Sequence, residues 1–426
     1  MKKISVLAIA GVLTASFASA EMAEVKVGGE VRVRNVVQND YDYNDSSSSG
    51  DRTNTTTSRV RVNVDAKIDE TTKAYISLQG TNVWGAEVDT AGAPNTATTG
   101  NDTEAVDVSQ AYVQLDQLGG QPLSLKIGRQ ILAYGEHRLV GSFEWSNFGR
   151  RFDALKLMYN TDAFSVDLWS AKVRDANGVL NTGNPSGAEK TATSDEEGVF
   201  NGIYATVKTI PTSTLDLYIL QKKDSTAAVE DDFLTYGLRL NGGVAGVDWT
   251  VEGALQSGTA NDGAATGEDK DANFYAVRAG YTIPNTPSIR IGGEYVFASG
   301  DDDATDDDDE NFDQIYPTNH PLYGVTDITA TNTLSNLKAW SLNASAKPVK
   351  GLKLLAEYWN YERDEDTLGD DQIGTEWNIQ AWYALTSNVG LHAYYASFTP
   401  DDAITGGGAA SDDPASNVTL QIEAKF

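Results

Sequence analysis

From Val25 to Phe426 the chain repeats one texture: about ten residues in which apolar and polar side chains alternate, then a cluster of Gly, Pro, Asn, Asp, Ser or Thr. Segment Arg59 to Ile68 shows it best. Val60, Val62, Val64, Ala66 and Ile68 share one face, and Arg59, Arg61, Asn63, Asp65 and Lys67 share the other, because successive side chains of a strand point to opposite sides. In a soluble sandwich the apolar face turns inward and in a membrane barrel it turns outward, so periodicity alone does not separate the two. Connection lengths do. The pattern predicts strands at 24–38, 59–69, 72–84, 106–117, 121–130, 151–160, 163–174, 198–210, 213–223, 233–241, 246–258, 272–283, 287–298, 334–347, 351–361, 375–386, 388–399 and 415–426.

Short turns such as Asp69-Glu70-Thr71, Leu118-Gly119-Gly120 and Ile210-Pro211-Thr212 alternate with long polar connections. Nine long and eight short connections imply an all-β fold, a transmembrane antiparallel β-barrel of about 18 strands with long extracellular loops and short periplasmic turns. An even strand count puts both termini in the periplasm. The last segment alternates Val418, Leu420, Ile422, Ala424 and Phe426 with polar residues, and a final strand closing on a terminal Phe resembles the assembly signal of bacterial outer-membrane proteins. Trp84, Trp169, Trp249, Trp359, Trp377, Tyr394 and Tyr395 stand near strand ends and are expected in interfacial girdles.

Residues 1–20 read as a signal peptide: Lys2 and Lys3, an apolar stretch from Ile4 to Phe17, and Ala18-Ser19-Ala20 as cleavage site. Residues 21–426 then form the outer-membrane barrel. No later run of about eighteen apolar residues offers a helical span. The chain has no cysteine, so disulfides, thiolate metal sites and cysteine nucleophiles are excluded.

The formal net charge is −29, and removing the two signal lysines makes it about −31. That acidity is segregated. The nine long connections hold about 43 of the acidic residues, leaving strands and turns slightly positive, by about four to six charges. Arg32, Arg34, Arg59, Arg61, Lys126, Arg239, Arg278 and Arg290 fall on polar strand faces. A charge on the lipid face at the midplane costs roughly 2–4 kcal/mol, so these side chains are expected in the lumen, attracting anions. Pairing with Glu30, Asp65, Asp107, Glu252 or Glu294 in a wall network is the competing expectation.

The run KIGRQILAYGEHRLVGSFEWSNFGRRFDALKL, Lys126 to Leu157, sets Arg129, Arg138, Arg150 and Arg151 among Tyr134, Phe143, Trp145, Phe148 and Phe152, with four glycines. Glycines let a loop fold tightly and guanidiniums recognise carboxylates by paired hydrogen bonds. The run therefore predicts a constriction loop whose four arginines join the anion-attracting set. It resembles the signature of the bacterial alginate-export family of outer-membrane porins, GRQ…YG..RLVGS..W.N.GR.FD. A second stretch, Tyr295 to Ile328, is similar to the family's ASGD, FDQ.YPT.H and YG..D elements. The resemblance implies an eighteen-stranded barrel with a basic lumen that passes a uronate polymer, in a family whose members do not all share that cargo. Two departures stand out: Pro321 follows His320 where a basic residue often follows, and the neighbouring loop carries a run of aspartates.

Within that run Asp301, Asp303, Asp306 and Asp308 form a candidate Ca²⁺ site, since hard cations take six to eight oxygens, but the spaced ligands and turn glycine of an EF-hand are absent. The acidic loop is otherwise expected to gather divalent ions loosely or to bridge through them to lipopolysaccharide. No other cofactor is implied. The expected partners are outer-membrane lipid, lipopolysaccharide and an anionic saccharide or small solute, with no nucleic acid. His137, His320 and His392 lie far apart in sequence, which argues against a metal cluster or catalytic triad. Four functions are weighed: an anion-passing porin, a general or cation-selective porin governed by its acidic loops, an outer-membrane barrel enzyme, and an adhesin or structural barrel; transport without bond chemistry is the expectation, because three scattered histidines offer no clustered nucleophile and base.

Overall fold

In the computed structural model the described residues are 24–43, 52–85, 103–174, 198–225, 230–260, 268–303, 305–328, 331, 333–366, 370–405 and 413–426. The signal-peptide assignment to residues 1–20 lies outside them. The wall consists of β1 (Glu24–Asn39), β2 (Arg52–Lys67), β3 (Thr72–Val83), β4 (Thr103–Leu115), β5 (Leu123–Gln130), β6 (Phe152–Asn160), β7 (Phe164–Arg174), β8 (Gly198–Val207), β9 (Ser213–Ser225), β10 (Glu230–Val244), β11 (Val247–Ala260), β12 (Glu268–Thr282), β13 (Arg290–Ala298), β15 (Leu337–Ala346), β16 (Leu352–Glu362), β17 (Gln372–Ala384), β18 (Val389–Pro400) and β19 (Ala415–Lys425). A two-residue strand, β14 (Asp308–Asp309), pairs parallel with β12 above the wall.

All eighteen wall strands pair antiparallel with their neighbours in chain order, and β1 pairs with both β2 and β19, which closes the sheet. Closure removes the unpaired edges that a membrane could not solvate. The terminal residue completes it, the amide of Gly29 donating to the Phe426 carbonyl at 2.8 Å. Each of the eighteen expected strands is present, with ends shifted by a few residues. β2 differs most, starting at Arg52 rather than residue 59, because its Thr and Asn positions still pair with β1 although their polarity reads as loop.

Side-chain alternation runs as the pleat requires. Val31 and Val60 are exposed outward, whereas Arg32, Arg34, Arg59 and Arg61 are buried inside. The aromatic girdle needs correction. Trp84, Trp377 and Tyr395 do face outward, Trp377 and Tyr395 with ring centroids 5.1 Å apart. Trp169, Trp359 and Tyr394 are buried within the barrel instead. Tyr394 and Tyr395 are sequence neighbours in β18, so the pleat forbids both from facing lipid.

The eight short turns, the start of β1 and the end of β19 share one end. Ala245 and Gly246, with φ of 53° and 87°, make the tightest hairpin, between β10 and β11. In the turn after β4, the Asp116 carboxylate accepts from Lys73 Nζ at 2.8 Å and from Gln114 Nε2 and Ser124 Oγ at 2.7 Å each. Partial burial pushes this carboxyl up, but those hydrogen bonds outweigh it and hold the pKa down to about 2. A depressed carboxyl stabilises the fold above its unfolded value near ~4 and loses that contribution as pH falls through the folded value. Asp116→Asn should therefore unfold at a lower temperature than the parent at pH 7, with the gap closing between about pH 4 and pH 2. A gap of the same size at pH 2 would refute this assignment.

The loop-end half of the barrel is not an open bore. Two connections, 131–151 and 299–336, fold inward and pack Leu132, Leu139, Phe312, Ile315, Tyr323 and Leu334 against wall residues Phe200, Phe274, Leu337, Tyr361 and Phe398 as one buried cluster. Open space lies towards the turn end.

Candidate functional site

β5 and β6 are short, at 8 and 9 residues, and the chain between them turns into the lumen. Gln130 marks the point, its side-chain amide donating to the Ala154 carbonyl at 2.8 Å. Gly135 and Gly149 adopt φ of 58° and 70°, a left-handed conformation that costs glycine little.

The tip of this loop is held from the β1–β2 wall by four arginines. Arg32 donates to the carbonyls of Glu144 at 2.8 Å and Ser146 at 3.1 Å, and to Asn147 Oδ1 at 2.9 Å. Arg34 donates to the Trp145 carbonyl at 2.8 Å, and its guanidinium lies 3.5 Å from the centroid of that indole. Arg59 pairs with Glu30 at 2.6 Å and also reaches the Glu144 and Ser146 carbonyls. Arg61 and Arg151 meet the Glu144 carboxylate at 2.5 and 2.7 Å. Burial opposes ionisation of Glu144, but Arg151, Arg61 and Arg59 hold its pKa below the ordinary carboxylate value. Arg59, Arg61 and Arg151 thus share two carboxylates, Glu30 and Glu144. Arg32 and Arg34 spend their donors on neutral oxygens, with the Glu30 carboxylate near Arg32 and those of Asp327 and Glu423 near Arg34.

The opposite wall is built differently. Arg138 is 1% exposed and sits among Glu136, Glu252 and Glu294, with the Tyr323 hydroxyl at 3.1 Å. Arg239 pairs with Asp216 at 3.2 Å, Arg278 with Glu136, and Arg290 with Asp248 at 2.6 Å. Four arginines there face five carboxylates, so the wall network foreseen as the competing arrangement prevails on this side. The lumen is polarised across its width.

The second inward loop locks onto the first. The amide of Gly141 donates to the Tyr316 carbonyl at 2.7 Å, that of Tyr316 to Leu139 at 3.0 Å, and Arg150 Nη1 to the Pro317 carbonyl at 2.6 Å. From the wall, the fully buried Glu376 accepts from the amides of Val325 at 2.8 Å and Thr326 at 3.3 Å. Below the loops lie two adjoining cavities of about 450 and 400 Å³ that share Pro321, Gln380 and Trp382 as lining. The larger is bordered by Arg32, Arg34, Arg59 and Trp145, the smaller by Arg290, Lys353 and Glu357.

Of the twelve basic residues singled out from sequence, eleven project into the barrel. Lys126 stands 4.4 Å from the Tyr112 ring centroid. Arg129 is the correction: it lies on the outer wall, pairing with Asp153 at 2.9 Å, beside outward-exposed Ile127 and Leu155. Lys126 and Arg129 are three residues apart in one strand, and a period of two puts them on opposite faces. The four candidate calcium ligands do not converge either. The Asp303 carboxylate accepts from Thr305 Oγ1 at 2.6 Å and that of Asp306 from the Asp308 amide at 2.9 Å, both closing local turns. Among the described residues of this loop, Asp301, Asp302 and Glu310 bring carboxylate oxygens within 4.8 Å of one another. His137, His320 and His392, remote in sequence, border the larger cavity together. Sequence reasoning missed Lys353, Glu376 and Trp382, although Glu376, Asn378, Gln380 and Trp382 share one face of β17 and were legible as a polar lumen stripe.

A family model described as alginate export matches residues 23–411. Among solved structures, Acinetobacter baumannii OccAB2 aligns with a TM-score of 0.62 at 14% identity, covering 94% of this chain and 98% of that one. OccAB3 of the same species gives 0.63 at 11%, covering 95% and 100%. The Pseudomonas aeruginosa outer membrane protein OprD gives 0.60 at 12%, covering 96% and 95%. At these identities the likeness is one of fold. No curated protein matches the chain in sequence.

Proposed function

We propose that this chain, which belongs to the alginate-export family and is a porin of the bacterial outer membrane, passes an anionic sugar, polysaccharide or related solute passively along the β1–β2 side of its lumen. The observation carrying this reading is the excess of guanidinium there: Arg32, Arg34, Arg59, Arg61 and Arg151 against Glu30, Glu144, Asp327 and Glu423. In a narrow, partly desolvated passage such charges attract anions more strongly than in bulk water. Family and fold both point to transport rather than bond chemistry.

A second reading is favoured by the opposite wall and the acidic loops, whose carboxylates would gather cations, Ca²⁺ among them, at the mouth or bridge to lipopolysaccharide. Reversal potentials across a planar bilayer under a KCl gradient separate the two. The first expects Cl⁻ to permeate better than K⁺, and block by an added oligouronate. A K⁺ preference that survives neutralising the Asp301–Glu310 acids would overturn it.

A further inference from the structure

The outer wall carries a feature unrelated to conduction. Across β6 to β10 its lipid-facing side holds a groove of about 350 Å³, lined by Leu155, Leu168, Ile203, Ile219 and Leu234. Gly202, whose Cβ would point into the barrel, leaves room there for the Trp169 indole packed behind the groove. Polar groups intrude where a wall facing only hydrocarbon would have none. Asn201 Nδ2 donates to Gln221 Oε1 at 3.1 Å, and Gln221 Nε2 to Asp232 Oδ1 at 2.7 Å.

Cations stand above the groove, Lys223 among them paired with Asp232 at 3.1 Å. Lys172 and Lys223 both register against Val199 of β8, one from each side. Their backbones are thus two strand spacings apart, about 10 Å, a span that one phosphate between two ammonium groups fits. With a rise of about 3.3 Å per residue and a tilt of about 40°, each residue climbs about 2.5 Å. Leu155 and Leu168 then lie about 10–12 Å above the turn end of their strands, and Lys172 and Lys223 about 20–25 Å above it. The apolar band of such barrels is about 25 Å tall, so both lysines sit where hydrocarbon gives way to headgroups. The Arg129–Asp153 pair adjoins Lys172, which registers with Asp153.

We infer that this groove is a binding site for a phosphorylated acyl glycolipid of the outer leaflet, one acyl chain lying along Leu155, Leu168 and Ile203 and a headgroup phosphate held between Lys172 and Lys223. Asn201 and Gln221 face the ester or amide oxygens where chain meets sugar.

The test is native mass spectrometry of the full protein in detergent, titrated with bisphosphorylated lipid A, with its dephosphorylated form and with inorganic phosphate. It compares the parent with Lys172→Glu/Lys223→Glu, and with the milder Lys172→Gln/Lys223→Gln should the reversal impair folding. The parent should retain the phosphorylated lipid at least about tenfold more tightly than either variant and more tightly than it retains the dephosphorylated lipid. Conductance and ion selectivity of the variants should match the parent, which keeps this result separate from the anion-passage reading. Equal retention by parent and variants would overturn the site. So would displacement of the lipid by millimolar phosphate, which would reveal an anion site only, or oligomers without lipid that vanish in the variants, which would assign the patch to a second copy.

Discussion

Replacing Arg138 by Met should lower the temperature at which the folded barrel converts to the unfolded chain and destabilise the loop-end half of the lumen by about 3–5 kcal/mol. Arg138 is buried against Glu136, Glu252 and Glu294 and donates to Tyr323 of the second inward loop. Methionine keeps most of the length and none of the charge, so three carboxylates lose the cation they share. Unpaired buried charge costs far more than an intact pair contributes, which makes the single substitution severe and its partial repair informative. Adding Glu294→Gln to Arg138→Met should recover a large part of the loss, because one of the stranded charges disappears with it. An unchanged unfolding temperature for Arg138→Met would show that the cluster does not hold the loops. A double variant no better than the single one would show that the charge is not the cause.

The second large effect concerns selectivity. Converting Arg32 and Arg34 together to Gln should lower the Cl⁻ to K⁺ permeability ratio by about tenfold or more. A unit charge about 8 Å from a passing ion, at an effective dielectric of about 20, contributes about 2 kcal/mol, and about 1.4 kcal/mol is a factor of ten. These two are chosen because their hydrogen bonds go to carbonyls and side-chain amides rather than to a carboxylate. The same substitution removes donors from the Glu144–Asn147 segment, so open-channel current should also become noisier. Glu144→Gln should act in the opposite direction, raising the anion preference by freeing Arg61 and Arg151 of their shared carboxylate. Identical reversal potentials in all three proteins would remove the β1–β2 wall from the ion path.

Particular residues show where sequence reading reached and where it stopped. Arg32, Arg34, Arg59 and Arg61 were recoverable as lumen residues, because each alternates with a valine in an unbroken strand. Arg129 follows the parity of its strand, not the motif it belongs to, and so faces outward. Loop 131–151 was recognisable as an inserted segment from its glycines and its position after a short strand. Its partner was not, since nothing local to Tyr316 or Thr318 says that their backbones meet Leu139 and His137. The convergence of three histidines on one cavity was equally hidden, because sequence distance measures nothing across a closed sheet.

The sequence by itself determined the barrel: strand number, the orientation of valine and arginine faces, the shared end of the termini and the segregation of acid into loops. All of these follow from a period of two and from connection lengths, which are local. Only the tertiary structure decided the balance of charge inside. The −29 of the whole chain leaves one wall with five guanidiniums against four carboxylates and the opposite wall with four against five. That balance depends on which side chains come within a few ångströms across the lumen, and Coulomb attraction falls with distance in space, not along the chain.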